Sequence, residues 1–490
     1  MTALPSSITL SLISHTNIGK TTLARTLLRR DVGQVLDQAH VTLQNEHFVL
    51  LETADGSRLN LWDTPGFGNS HKLLGRLQGR TNPIGWMVSQ VWDRLADKPF
   101  WCSQQAIRNV RDEADVVLYL VNATEDPSMA GYLQPELDLL TWLDKPVIVL
   151  VNQTGLIDPQ QQRQLESHWR HHWVHQHVIK DVMSLDAFTR CWVQEGVLWD
   201  RITQALPPEK HPAMKKLGKA WYATHRKIFD TSMTHLARLL IETALDGELL
   251  PQETTGLSKK PQIKNAIKAL DQRLAQRISA ITAHLIELHG LTGDVAHTLK
   301  SRIEDVTVPG ERKPWEEETF WGALASGAAA GLASDFATGG LSHGAFTIGG
   351  AILGALAERT YAKSRETEDP NRISWVPAFL DRQTRDALLR YLAVTHCGRG
   401  RGDYTDPREF PLFWQRAAET VLEQRKDHLH QAWNLAQSPP FTNGSTEHAQ
   451  TKLVHLLSDM SQEILGQFYP EAKVWLEKTP HGSHPRSQES

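Results

Sequence analysis

Residues Ser14-His15-Thr16-Asn17-Ile18-Gly19-Lys20-Thr21-Thr22-Leu23, SHTNIGKTTL, decide the fold. An apolar run from Ile8 to Ile13 (ITLSLI) leads straight into them, and a helical pattern follows over residues 20–30. A strand, a turn ending in Gly-Lys-Thr and a helix are the parts of a phosphate-binding loop, G-x-x-x-x-G-K-[ST]. In such a loop the backbone N–H groups and the helix N-terminus form an anion nest. Lys20 is placed to reach the β- and γ-phosphates, and the Thr21 hydroxyl to ligate Mg²⁺. Gly19 keeps a Cβ away from the phosphate. The departure is Ser14, where the pattern has Gly. A small side chain is tolerable there because most of the donors come later, from His15, Thr16, Asn17, Ile18, Gly19, Lys20, Thr21 and Thr22.

A second motif fits the same site. Leu59-Asn60-Leu61-Trp62-Asp63-Thr64-Pro65-Gly66 is a strand ending in DTPG. Asp63 at the strand end supports the Mg²⁺ shell, and the Gly66 N–H is offered to the γ-phosphate. His47–Glu52 and Arg58–Trp62 flank the turn signal Ala54-Asp55-Gly56-Ser57, so they read as a hairpin. Asp115–Val121 (DVVLYLV) and Pro146–Val151 (PVIVLV) read as buried strands, and Val178–Met183 as a weaker one. Strands interleaved with helices predict a mostly parallel sheet with helices on both faces, an α/β P-loop NTPase domain.

Residues 8–206 resemble a translation-factor-related GTPase domain of the Era and tRNA-modification GTPase type, through NIGKTTL and DTPG. The resemblance implies GTP as ligand and substrate, with Mg²⁺ as cofactor. It implies a γ-phosphate-sensing Thr before the second strand, for which Thr42 has the right position. It implies catalytic work at Lys20, Asp63 and Gly66, and at Asn17 if that residue holds K⁺ beside the phosphates. Phe67 follows DTPG where Ras-like proteins keep a water-orienting Gln, so basal hydrolysis is expected to be slow.

The base-reading motif N-K-x-D departs from the family. Here it is Asn152-Gln153-Thr154-Gly155, with Asn152 kept and Gly155 in place of the Asp. A site without that carboxylate forfeits discrimination for guanine, which leaves GTP against ATP open. Asp158 would substitute only if its loop folded back. The last family motif corresponds to Ser184-Leu185-Asp186. Asn152, Gln153, Ser184 and Leu185 complete the expected nucleotide-binding set.

The chain has 490 residues, 22% charged and 40% apolar, with net charge −4, which suits two or three globular domains and argues against wholesale nucleic-acid binding. Its three cysteines, Cys102, Cys191 and Cys397, have no ligand-like spacing and suit a reducing cytosol. No basic n-region or cleavage site marks a signal peptide. Pro207-Pro208 closes the first domain, placed at 1–208, with 67–114 as a long insertion after DTPG that reads as a partner surface or an ordered insertion. Residues 214–246, 260–300, 406–438 and 447–477 carry helical periodicity, giving a mainly α-helical C-terminal domain over 209–478 and a disordered tail over 479–490.

Phe320 to Ala357 contains one acid, Asp335, no Lys or Arg, and Gly pairs four apart such as Gly327/Gly331. It reads as a helical hairpin with arms of about fourteen residues, either buried in the helical domain or touching a membrane or membrane protein. The expected location is cytoplasmic, peripheral on the inner face of the membrane if the hairpin meets lipid. His168, His172 and His175 would share a helix face, read as an exposed surface or a metal site. The run from Cys397, CGRGRGD, reads as a flexible loop.

The whole chain is similar to a bacterial family in which an Era-like GTPase domain precedes an uncharacterised helical domain with a Gly-rich segment. Three functions follow from the sequence. One is a nucleotide switch, with a nucleotide-dependent dimer as one form of it. The second is an RNA-binding assembly factor using Lys215, Lys216, Lys219, Lys259 and Lys260. The third is a pseudo-GTPase scaffold, against which the retention of Lys20, Thr21 and Asp63 argues.

Overall fold

A computed structural model describes residues 6–29, 45–68, 70–78, 80–89, 98–249, 259–292, 296–297, 299–301, 303, 372–375, 377–398, 410–437 and 443–477. Thr42, the stretch 320–357 and the tail 479–490 lie outside the described residues.

The chain divides into two compact units. The first comprises Met1–Arg226, His396–Tyr404 and Leu465–Ser490, and the second Lys227–Thr395 and Thr405–Ile464. In the first unit a six-stranded sheet runs β2-β3-β1-β4-β5-β6. Its strands are β1 Ser7–Ser14, β2 Glu46–Glu52, β3 Arg58–Asp63, β4 Val116–Asn122, β5 Val147–Asn152 and β6 Ile179–Ser184. All neighbours pair in parallel except β2 with β3, the hairpin expected at residues 54–57. Gly56 takes φ 82° in that turn, a conformation costly for a side-chain-bearing residue. Every residue of β5 is buried, as is β4 except its last. Near-continuous apolar runs are what a strand covered on both faces requires. Each fully buried Val or Leu there contributes roughly 1.5–3 kcal/mol.

The covering helices are α1 Lys20–Leu28, α2 Ser70–Leu77, α3 Pro83–Ser89, α4 Lys98–Asp112, α5 Leu133–Leu143, α6 Pro159–His172 and α7 Trp192–Ala205. The described part of the insertion after DTPG is helical, α2 to α4, and Leu73, Leu77, Met87 and Ile107 bury in the core with β4 and β5. Asp158 caps α6, accepting from the Gln160 and Gln161 N–H groups, so it does not fold back toward Gly155. α6 ends at His172, where the next residue, Trp173, leaves helical geometry with φ −111° and ψ 17°. His175 therefore lies beyond the helix that His168 and His172 share. Among the described residues no three side chains are grouped to hold a metal ion.

α8, His211–Leu245, starts in the first unit, where Trp221 meets Trp199 and Trp475 edge-on. α14, Lys473–Glu477, belongs to this unit through the Trp475 indole, which donates to Asp200 Oδ2 at 2.6 Å.

In the second unit the helices are the end of α8, α9 Lys259–Leu288, α10 Pro377–Thr395, α11 Leu412–Gln424, α12 Lys426–Gln437 and most of α13 Asn443–Phe468. Their buried residues recur three and four apart, as Phe229, Met233, Leu236 and Leu240 do on α8. The helical pattern of 406–438 is interrupted at Arg425, which separates α11 from α12. A two-stranded ribbon, β7 Gly247–Leu249 with β8 Arg372–Ser374, completes the unit. Among the described residues no helix is long and apolar enough to cross a membrane.

Candidate nucleotide site

Four loops meet at the C-terminal ends of β1, β3, β5 and β6, the edge where such sheets take ligands. The phosphate loop follows β1. Asn17 and Gly19 hold it in left-handed conformations, φ 64° and 98°. A Cβ on Gly19 would stand 2.8 Å from Asn152 Nδ2, in a backbone conformation, φ 98°, that already disfavours a side chain.

Thr21 and Lys20 open α1 and face the end of β3. The Thr21 hydroxyl donates to Asp63 Oδ2 at 2.6 Å. Asp63 is 1% exposed, and among the described residues its Oδ1 has no hydrogen-bond partner. Burial pushes its carboxyl up to about 6, against the lowering effects of the Thr21 hydrogen bond and the Lys20 charge. Burial also pulls the Lys20 ammonium below the usual lysine value, opposed by Asp63 and Glu136. A buried carboxylate oxygen without a partner, beside a hydroxyl, is a donor set suited to a hard cation. The residues thus fit Mg²⁺.

Ser14 is an active part of the loop. Lys20 Nζ donates to its Oγ at 2.9 Å, and the Ser14 hydroxyl donates to the His15 carbonyl. Behind DTPG the Phe67 N–H donates to the Ser14 carbonyl at 2.9 Å, joining the two motifs. The Phe67 side chain is fully buried in the core. A Cβ on Gly66 would meet Thr16 Cα at 3.0 Å and Lys20 Nζ at 3.2 Å, so DTPG lies directly on the phosphate loop.

Asn152 ties three loops. Its Nδ2 donates to the Ile18 carbonyl at 2.7 Å, and its Oδ1 accepts from the Ala187 N–H at 2.9 Å. Gln153 adds a longer contact to Ile18, 3.5 Å. Ser184 ends β6, and Leu185 behind it is fully buried.

Sequence reasoning missed Glu136. On α5 it lies among buried Leu133, Leu137 and Leu140, fully buried itself. An acid on an apolar helix face was the available signal. Glu136 Oε1 meets His15 Nδ1 at 2.7 Å and accepts from Ser70 Oγ at 2.8 Å, while Oε2 accepts from the Tyr119 hydroxyl at 2.8 Å. One carboxylate so connects the phosphate loop, the start of α2 and β4. Sequence reasoning also missed Gly398, whose N–H donates to the Phe188 carbonyl at 2.8 Å in the loop after β6. Of the basic residues considered for RNA, Lys216 pairs with Asp55.

Residues 174–459, more than half of the chain, match the model of a family described as a domain of unknown function, DUF3482. Residues 9–153 match the model described as 50S ribosome-binding GTPase, so the first unit carries a GTPase-type domain. No curated protein matches. Among solved structures, the chain is similar to Era of Aquifex aeolicus bound to GDP and aluminium fluoride: 17% identity over 56% of this chain and 89% of that one, TM-score 0.30. It is similar to Era in complex with MgGDPNP and a 16S ribosomal RNA segment, at 16% identity over 56% of this chain and 89% of that one, TM-score 0.31. It is also similar to the elongation factor SelB of Methanococcus maripaludis, at 17% identity over 38% of this chain and 30% of that one, TM-score 0.23. At those scores the likenesses add nothing to the sheet order and the family matches.

Proposed function

This chain belongs to the DUF3482 family, and from that premise we propose that it is a GTP-binding switch with slow, Mg²⁺-dependent hydrolysis. The observation that carries the reading is the buried Lys20, Thr21 and Asp63 cluster with its unpartnered Asp63 Oδ1. In this reading Lys20 and the loop N–H groups hold the phosphates, and Thr21 and Asp63 hold Mg²⁺. Bound Mg²⁺ supplies charge neutralisation at the β- and γ-phosphates. The Gly66 N–H and Thr42 sense the γ-phosphate, and Asn152, Gln153, Ser184 and Leu185 border the base. Phe67 has no polar group with which to orient water, which makes unaided hydrolysis slow. Asn17, on the phosphate loop, is the K⁺ ligand, with dimerisation as the other route to a complete site.

The helical unit is the effector of the switch. Glu136 ties the phosphate loop to α2, both within the first unit. The composition of 320–357 supports a membrane surface or a membrane protein as the place of action. Calorimetric titration with GTP and with ATP, in Mg²⁺ and K⁺, tests the reading. Binding of GTP above ATP is expected, with turnover that stops on Mg²⁺ chelation. Binding of neither nucleotide overturns it in favour of a scaffold. A salt-sensitive shift on RNA without liposome flotation would move the effector role to nucleic acid.

A further inference from the structure

A second carboxylate stands beside the Thr21 and Asp63 pair. Glu46 opens β2 and lies directly opposite Asp63 in the antiparallel pairing with β3. Residues so opposed place their side chains on one face of the sheet, with Cβ atoms about 4.5–5.5 Å apart. The next pair along shows the alternation: His47 and Trp62 meet with ring centroids 4.8 Å apart, on the other face. The face that carries Asp63 is the one that α1 covers, because Asp63 Oδ2 accepts from the Thr21 hydroxyl. Glu46 therefore extends on the same side of the sheet as Thr21 and Asp63. It is half-buried, and among the described residues its carboxylate has no hydrogen bond and no ion pair.

Like charges directly opposite on neighbouring strands destabilise the pairing. Burial is the main reason the Asp63 carboxyl is pushed up, and the Glu46 charge acts in the same direction, with Lys20 and Arg25 opposing. The Lys20 ammonium is engaged at Ser14 Oγ. A cation between the two carboxylates removes the repulsion, and Asp63 Oδ1, buried with no partner among the described residues, is an acceptor left for it. We propose that Glu46 is a positioning residue for this divalent cation, accepting hydrogen bonds from water on the ion that Thr21 and Asp63 hold. The proposal rests on the Mg²⁺ reading above and adds a residue that neither the phosphate loop nor DTPG contains. Mg²⁺ keeps several waters when it is bound through one or two carboxylates. A half-buried carboxylate at the edge of the site fits those waters, and such outer partners tune metal affinity.

The experiment is calorimetric titration of Mn²⁺ into the full chain saturated with GDP, for wild type, Glu46→Gln, Glu46→Asp and Glu52→Gln. Thermal midpoints of the metal-free proteins are measured beside it, well above the Asp63 value of about 6, so that both carboxylates are charged. Glu46→Gln should weaken Mn²⁺ binding on the order of 10-fold or more. In metal-free protein the same change should raise the midpoint by about 1–2 °C, because a like-charge pair is gone. The two effects have opposite signs, whereas a purely structural Glu46 gives a loss in both. Glu46→Asp keeps the charge and withdraws it by one methylene, so it should recover only part of the affinity. Glu52→Gln, at the far end of β2 and paired with Arg58, should bind Mn²⁺ as wild type does. Unchanged Mn²⁺ affinity in Glu46→Gln overturns the proposal and leaves the Mg²⁺ reading standing. A lowered metal-free midpoint, full recovery by Glu46→Asp, or an equal loss in Glu52→Gln also overturns it. Wild-type protein that binds no Mn²⁺ with GDP removes both.

Discussion

Thr21 and Asp63 are joined directly, the Thr21 hydroxyl donating to Asp63 Oδ2 at 2.6 Å across the gap between α1 and β3. The two motifs that supply them lie 42 residues apart in sequence and meet as one oxygen pair. Thr21→Ala and Asp63→Asn should each cut Mg²⁺-supported GTP turnover on the order of 10²-fold, as removal of a charge-stabilising group does. Single-turnover hydrolysis across a Mg²⁺ series checks this. Turnover within a factor of two of wild type would remove both residues from the metal shell.

Gly398 stands against the loop after β6. A Cβ there would fall 2.0 Å from the Ala187 carbonyl oxygen, which is backbone and cannot yield as a flexible side chain would. Gly398→Ala should therefore break the hydrogen bond to Phe188, cost about 1–3 kcal/mol in stability and weaken GTP binding several-fold. Hydrogen exchange at residues 186–189, followed with and without nucleotide, gives the readout. Unaltered exchange would show that the loop does not lean on residue 398.

Asp246 gives the helical unit an acid sensitivity. Burial pushes its carboxyl up, but hydrogen bonds from Arg273 and Arg277 outweigh burial and hold it below the ordinary aspartate value. A carboxyl depressed in the folded state stabilises above its unfolded value, about 3.9, and that stability is lost as pH falls through the folded one. Asp246→Asn should cost about 2 kcal/mol at pH 7, with the difference shrinking below about pH 4. Urea titrations of both proteins at pH 7 and pH 3 measure it. A constant difference would be evidence against the paired carboxylate.

Arg390 on α10 is fully buried, and among the described residues none of its three side-chain nitrogens has a hydrogen-bond partner. Burial pushes its guanidinium down to about 10, with Asp386 opposing. A buried charge carries a desolvation cost that an apolar side chain of similar volume avoids. Arg390→Met should raise the thermal midpoint of the full chain. A fall of several degrees would mean that the charge is satisfied in solution.

Much of the phosphate half was legible in the sequence, because its chemistry is local. Gly19, Lys20 and Thr21 occupy consecutive positions at a helix start, and Asp63 and Gly66 sit at a strand end. The strands were legible because residues covered on both faces must be apolar without a break, as in β4 and β5. The base half was legible only as a loss, Gly155 in place of Asp. His168, His172 and His175 show the limit of periodicity. Spacing put all three on one helix, but α6 ends at His172, with Trp173 already outside helical geometry, before His175.

The sequence by itself determined the strand-loop-helix order, the Lys20, Thr21 and Asp63 chemistry and the change to helical periodicity after Pro208, all properties of residues close together along the chain. The tertiary structure alone decided that Asp186 meets Gly155 across 31 residues, and that Glu136 meets His15 across 121. It also brought Trp475 to Asp200 across 275. The physical reason is the same in each case. Such contacts are set by which strand ends and helices packing brings side by side, and no local pattern of residues encodes that choice.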